Sequence, residues 1–328
     1  MGKPIVYVHR LGSWYHLYMN EANEALLRSF SQVVTGGARE EPVPPEELAQ
    51  AMRGASGILS LNGIGAPEIT TEVLQEVGTV RVAAISHWWH GMHDAARRMW
   101  EAAGVQVIDA SDANNEAVAE WTVAAALMGV RRLLQFDRAL KAGSPWAEPR
   151  REAGLLSESV VGLIGLGRVG QQVARLLRAF DATVIACDAY ISQEAAAALG
   201  VRLVPLEELM RTADVVSFHL PVTAETRGML GSHELAWIKD GAVVINSARA
   251  AILDEAAFLA EVRKARFSVF LDVFAVEPLP LDHPFRSMEH VFITPHIAGD
   301  NGPMFVRCGR KAITALRDAL SERMKGER

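Results

Sequence analysis

The run Val160-Val161-Gly162-Leu163-Ile164-Gly165-Leu166-Gly167-Arg168-Val169-Gly170 constrains the fold more than any other stretch, because it joins a buried strand to a glycine turn and a helix. Val160 to Ile164 is an apolar run of the kind a parallel sheet buries on both faces. From Arg168 to Phe180, Val169, Val173, Leu176, Leu177 and Phe180 recur at helical spacing. Gly165 permits the tight turn, Gly167 lets the backbone approach a pyrophosphate, and Gly170 lets helix and strand pack closely, with the anion resting on the helix N-terminal amides. A second apolar strand, Ala182 to Cys187, ends in Asp188, about 18 residues beyond the turn. A carboxylate there accepts hydrogen bonds from the adenosine ribose hydroxyls and repels a 2′-phosphate. The stretch therefore predicts a dinucleotide site that favours NAD and disfavours NADP, with Arg202 as the neighbouring cation able to soften that preference.

Around this turn, short apolar strands alternate with helical patterns. In the N-terminal part the strands fall at Ile5 to Val8, Gly57 to Leu61, Val80 to Ile85 and Val105 to Ile108, with helical stretches between them. A long helical pattern spans Asn115 to Leu140, and beyond Asp188 further strands fall at Arg202 to Val204, Val215 to Leu220, Val243 to Asn246, Ser268 to Leu271 and Val291 to Thr294. A final helical pattern covers Met304 to Met324 and is placed to cross back onto the first domain. Such alternation predicts open parallel sheets, and 328 residues fit two domains of moderate size.

Composition excludes other classes. A formal charge of -6 with scattered Lys and Arg is no field for nucleic acid. No uncharged apolar run approaches a membrane span, and no cationic leader precedes an apolar stretch, so the expectation is a cytoplasmic protein. Two cysteines, Cys187 and Cys308, suggest neither a disulfide framework nor a zinc motif, and no metal is expected.

Three charged groups stand at strand ends in the second half: Arg249 after Asn246-Ser247-Ala248, Glu277 in Asp272-Val273-Phe274-Ala275-Val276-Glu277-Pro278, and His296 in Thr294-Pro295-His296. Ligands in such sheets lie beyond the carboxyl ends of strands. Taken singly, each has a plain alternative as a cap, a solvated acid or a turn histidine.

Together with the glycine turn, with Asn114-Asn115-Glu116-Ala117-Val118-Ala119-Glu120, and with Phe218-His219-Leu220-Pro221-Val222-Thr223 and Thr226, they resemble the D-isomer-specific 2-hydroxyacid dehydrogenase family over more than half the chain. The resemblance implies an α/β fold of two doubly wound parallel-sheet domains. A Rossmann-type NAD-binding domain, residues 110–297, is inserted into a split flavodoxin-like substrate domain, residues 1–109 and 298–328. It implies a homodimer through the cofactor domain. It also implies hydride transfer between nicotinamide C4 and C2 of a small 2-oxo or 2-hydroxy acid.

In that reading Arg249 clamps the substrate carboxylate and polarises the carbonyl, His296 is the acid and base, and Glu277 orients His296 and raises its pKa. Asp272 holds the nicotinamide carboxamide. The implied cofactor contacts are Gly165, Gly167, Arg168, Val169, Gly170, Asp188, His219, Pro221, Thr226, Ser247, Ala248, Asp272 and His296. An NAD(H)-sensing corepressor or scaffold of the same fold, and a formate or phosphite donor, are the competing readings.

The match is weaker in two places. Ala250-Ala251 stands where the family usually shows glycine after the arginine, and Ser86-His87-Trp88-Trp89-His90-Gly91-Met92-His93-Asp94 replaces a glycine-rich turn. The three histidines, His87, His90 and His93, recur every third residue, but a strand-to-helix turn rarely presents three such side chains convergently and no acidic or Cys partner pattern accompanies them, so no metal is expected. Ser60-Leu61-Asn62-Gly63-Ile64-Gly65 falls where relatives offer amides to the substrate, which makes Asn62 and Gly63 candidate contacts beside Arg249, His296 and, more remotely, Trp88. The tryptophans, with Trp14, Tyr15, His16 and Tyr18, suggest a substrate larger than glyoxylate or pyruvate.

Overall fold

The computed structural model describes residues 2–86, 92–146 and 153–326. They form two compact units, one of Met1–Asn114 with Asp300–Arg328 and one of Asn115–Gly299. The breaks read from the sequence stood at 109/110 and 297/298. His87, Trp88, Trp89 and His90 lie outside the described residues, as does the side chain of His93.

Unit 1 holds β1 (Ile5–Val8), β2 (Gln32–Thr35), β3 (Ala55–Leu61), β4 (Val82–Ser86) and β5 (Gln106–Asp109) in the order β2-β1-β3-β4-β5, all neighbours parallel. This is the flavodoxin-like order. Alternation sends Tyr7, Ile58, Ala83 and Ile85 into a core with Leu48, Val73 and Trp100, whose indole N–H donates to the Ile69 carbonyl at 2.8 Å. The opposite face meets the helix Gly302–Gly326, and a Cβ on Gly57 of β3 would lie 3.2 Å from Leu320 Cδ1. β2 escapes the sequence pattern because Gln32–Thr35 is an exposed edge with no apolar alternation to read.

Unit 2 holds β6 (Val160–Ile164), β7 (Thr183–Cys187), β8 (Arg202–Leu203), β9 (Val215–Phe218), β10 (Val243–Asn246), β11 (Ser268–Leu271) and β12 (Val291–Ile293). Their order, β12-β11-β10-β9-β6-β7-β8, is parallel throughout and reverses direction between β6 and β9. That reversal is the topological switch point of a doubly wound Rossmann-type sheet. Both faces are covered, one by a core around Phe218, Phe258 and Leu271, the other around Val173, Leu177 and Phe270.

The pattern from Asn115 to Leu140 is two helices, Asn115–Val130 and Leu133–Lys141. Arg132 separates them at φ 51 and ψ 34, after its N–H has turned back to the Gly129 carbonyl at 3.0 Å. Helical spacing continues on both sides, so one left-handed residue breaks the helix without interrupting the periodicity.

Candidate active site

At the switch point, β6 leads into a turn in which each glycine answers to a different constraint. Gly165 adopts φ +97, and a Cβ there would lie 2.7 Å from the His219 carbonyl oxygen. A Cβ on Gly170 would lie 2.3 Å from the Gly165 carbonyl oxygen, so the helix Arg168–Arg178 rests on its own turn. A Cβ on Gly167 would meet no protein atom within 4 Å. Nothing inside the protein requires glycine at 167, and that bare position at a helix N-terminus is the cradle a pyrophosphate needs. Arg168 projects from the first turn, exposed, with Val169 partly buried beside it.

Asp188 closes β7. One of its oxygens accepts the Leu166 N–H at 2.7 Å and the other those of Tyr190 and Ile191 at 2.8 and 3.0 Å. Burial works to raise its pKa, but these three amides outweigh it and hold the carboxyl below its ordinary value. A carboxylate takes about four donors, so acceptor capacity is left for one ligand hydroxyl. Arg202 pairs with Glu208 at 2.8 Å, so that cation is already matched to a carboxylate. The residues present fit a dinucleotide.

The remaining cofactor candidates follow β9, β10 and β11. His219 is half-buried, its Nε2 lies 3.0 Å from Ser217 Oγ, and burial pushes its pKa down to about 4. Thr226 closes an exposed turn by donating to the Pro221 carbonyl at 2.6 Å and accepting the Thr223 N–H at 2.8 Å. Ser247 is buried with its hydroxyl 3.2 Å from Thr122 Oγ1, and Ala248 leads into Arg249. Asp272 is fully buried, and its carboxylate accepts from Thr294 Oγ1 at 2.5 Å and from the Ile297 and Ala298 amides at 2.8 Å each. Burial raises its pKa against those donors and the nearby His296.

Arg249, Glu277 and His296 stand beyond the carboxyl ends of β10, β11 and β12, which are neighbours in the sheet. His296 Nδ1 lies 2.8 Å from Glu277 Oε2, while Glu277 Oε1 accepts the Phe274 N–H at 2.9 Å. A carboxylate so placed accepts a hydrogen bond from a protonated Nδ1 and so fixes the orientation of the ring. Arg249 is exposed, and its Nη1 donates to the Ala248 carbonyl at 2.6 Å. Its Nε and Nη2 have no partner among the described residues, so one edge of the fork is open to a carboxylate.

In unit 1, Asn62 and Gly63 follow β3 in left-handed conformations, φ 65 and φ 82. Asn62 is buried and its Oδ1 has no partner among the described residues. Below them, His9 Nε2 lies 2.8 Å from the Gly65 carbonyl. Trp14 and Tyr18 pack edge-on against Phe305, and Tyr15 is buried. Tyr15 and Tyr18 thus belong to internal packing, Trp14 is half-buried and His16 is exposed.

Two structural residues went unrecognised in the sequence. Asn246 Nδ2 donates to the Arg249 carbonyl at 3.1 Å and its Oδ1 accepts the Ala248 N–H at 3.0 Å, which shapes the arginine loop. Thr294 anchors the histidine loop. An Asn closing a strand before a turn is the signal that could have found the first; nothing local distinguishes the second. Among the described residues no group of three or more His, Cys, Asp or Glu is arranged to hold a metal, and no helix is long and apolar enough to cross a membrane.

A glycine turn at the switch point of a doubly wound parallel sheet, with Arg249, Glu277 and His296 beyond the carboxyl ends of strands of the same sheet, defines a dinucleotide-binding α/β fold. Residues 123–298 match the family model for the D-isomer specific 2-hydroxyacid dehydrogenase NAD binding domain, and the chain belongs to that family. It is 31% identical over 284 residues to the D-3-phosphoglycerate dehydrogenase of Methanocaldococcus jannaschii, covering 86% of this chain and 52% of that one. With the glyoxylate reductase of Thermofilum pendens it shares 29% identity over 308 residues, 91% of this chain and 86% of the relative. The crystal structure of the TT0316 protein from Thermus thermophilus is similar over 97% of both chains at 27% identity, with a TM-score of 0.73. The chain spans about half or less of the phosphoglycerate dehydrogenases it matches.

Proposed function

We propose that this chain interconverts a 2-oxo acid and the corresponding D-2-hydroxy acid with NAD(H). The pair His296–Glu277 at 2.8 Å, with Glu277 tied to the Phe274 amide, carries the reading, because it presents an imidazole in one tautomer and one orientation.

When bound, NADH would supply the hydride for C2. Gly167 and the amides that open the helix Arg168–Arg178 would hold its pyrophosphate, and Asp188 would hold its ribose. Arg249 clamps the substrate carboxylate through the open edge of its guanidinium and polarises the adjacent carbonyl. In reduction His296 Nε2 gives a proton to the carbonyl oxygen, and in oxidation it takes the hydroxyl proton. Glu277 accepts a hydrogen bond from Nδ1–H in both directions and stabilises the imidazolium. The unsubstituted carboxylate of Asp188, with Arg202 matched to Glu208, supports NAD over NADP. The family resemblance supports a homodimer through unit 2, and the composition supports a cytoplasmic location.

Loss of NADH absorbance with a panel from glyoxylate and pyruvate to aryl-substituted 2-oxo acids, run beside NADPH, tests the reading. Turnover of at least one 2-oxo acid with NADH is expected. Tight NADH binding without turnover of any would favour the sensing role instead.

A further inference from the structure

Three loops carry the catalytic set, and one buried residue is connected to all of them. The Asp272 backbone N–H donates to the Asn246 carbonyl at 3.0 Å, and Asn246 is the residue whose side chain clasps the Arg249 loop. Two residues further along, the Phe274 N–H holds Glu277. The Asp272 carboxylate meanwhile gathers Thr294 Oγ1 and the Ile297 and Ala298 amides, donors that flank His296 on both sides.

His296 itself sits at φ 55, the left-handed region that a side-chain-bearing residue adopts only where its surroundings over-determine it. The donors that over-determine it here converge on one carboxylate. We propose that Asp272 is the positioning hub that sets Arg249, Glu277 and His296 in mutual register, with the Thr294 hydroxyl as the contact that locks the histidine loop onto it. The inference rests on the proposed role of His296 as proton donor and acceptor. It goes beyond that role by giving Asp272 and Thr294 a task separate from holding the cofactor.

Thr294→Val keeps the side-chain shape and removes the donor, and Thr294→Ser keeps the donor. NMR of the ligand-free protein reads the amide exchange of Ile297 and Ala298 and the His296 Nδ1 proton, and kinetics read kcat and the Kd for NADH. In the unsubstituted protein both amides should be protected from exchange, although Ile297 is 44% exposed. Thr294→Val should lose that protection, shift or broaden the His296 signal and lower kcat about tenfold or more, with the Kd for NADH moving less than about twofold. Thr294→Ser should restore all of these.

Rapid exchange of both amides in the unsubstituted protein would overturn the proposal without recourse to any variant. So would a folded Thr294→Val with unaltered His296 signal and kcat, or one whose defect lies in NADH affinity. Absence of turnover in the unsubstituted protein sinks the functional reading alone, since the NMR measurements still decide the hub.

Discussion

Gly167 and Gly170 share one turn and lack side chains for opposite reasons. A Cβ at 170 collides with the Gly165 carbonyl, whereas one at 167 meets only open space. Gly170→Ala should therefore lower stability by about 2 kcal/mol in urea unfolding. Gly167→Ala should leave stability within about 0.5 kcal/mol yet weaken NADH binding roughly tenfold or more, read by fluorescence titration. Arg249→Ala should reduce kcat/KM about 10²- to 10³-fold while the Kd for NADH holds. His296→Ala should slow single-turnover hydride transfer about 10²- to 10⁴-fold. His219 takes up a proton in the unfolded chain near its ordinary 6.5, whereas burial holds the folded value down to about 4. The unfolded state binds more protons across that window, so stability falls as pH drops through it. His219→Asn should show a smaller loss of urea midpoint between pH 7 and pH 4.5 than the parent. These residues were legible in the sequence because each falls in a short motif that follows a strand. Their partners were not: the Asp272 contacts to residues 294, 297 and 298 join segments more than twenty positions apart.

Among elements, the strands of unit 2 were the most legible, since a sheet covered on both faces demands unbroken apolar runs such as Val160–Ile164. β2, an exposed edge, offered no such run. The break at Arg132 was hidden because the periodicity resumes after a single left-handed residue. The helix Gly302–Gly326 was readable as a helix, and its packing partner is what the structure adds. Leu316 is fully buried there against the face that bears Gly57. Leu316→Ala should cost about 3 kcal/mol in urea unfolding, with NADH binding to unit 2 retained.

At the scale of the molecule, unit 2 is one continuous stretch with cores on both sheet faces, whereas unit 1 is assembled from both ends of the chain. Asn115–Gly299 expressed alone should fold cooperatively and bind NADH. A chain ending at Gly299 should lose the tertiary structure of unit 1, because β3 and β4 would expose the face that the last helix covers. Near-ultraviolet circular dichroism and NADH titration of the two shortened chains check both outcomes. The sequence by itself determined the parallel α/β architecture and the glycine turn, because a strand buried on both faces and a tight strand-to-helix turn restrict residue type locally, whereas Arg249, Glu277 and His296 stood out only through the family resemblance. Only the tertiary structure decided that Glu277 meets His296, that Gly167 stands open while Gly170 is closed, and that one buried aspartate ties the three loops together. Those are contacts between segments remote along the chain, and they exist only once the sheet has set its strands side by side.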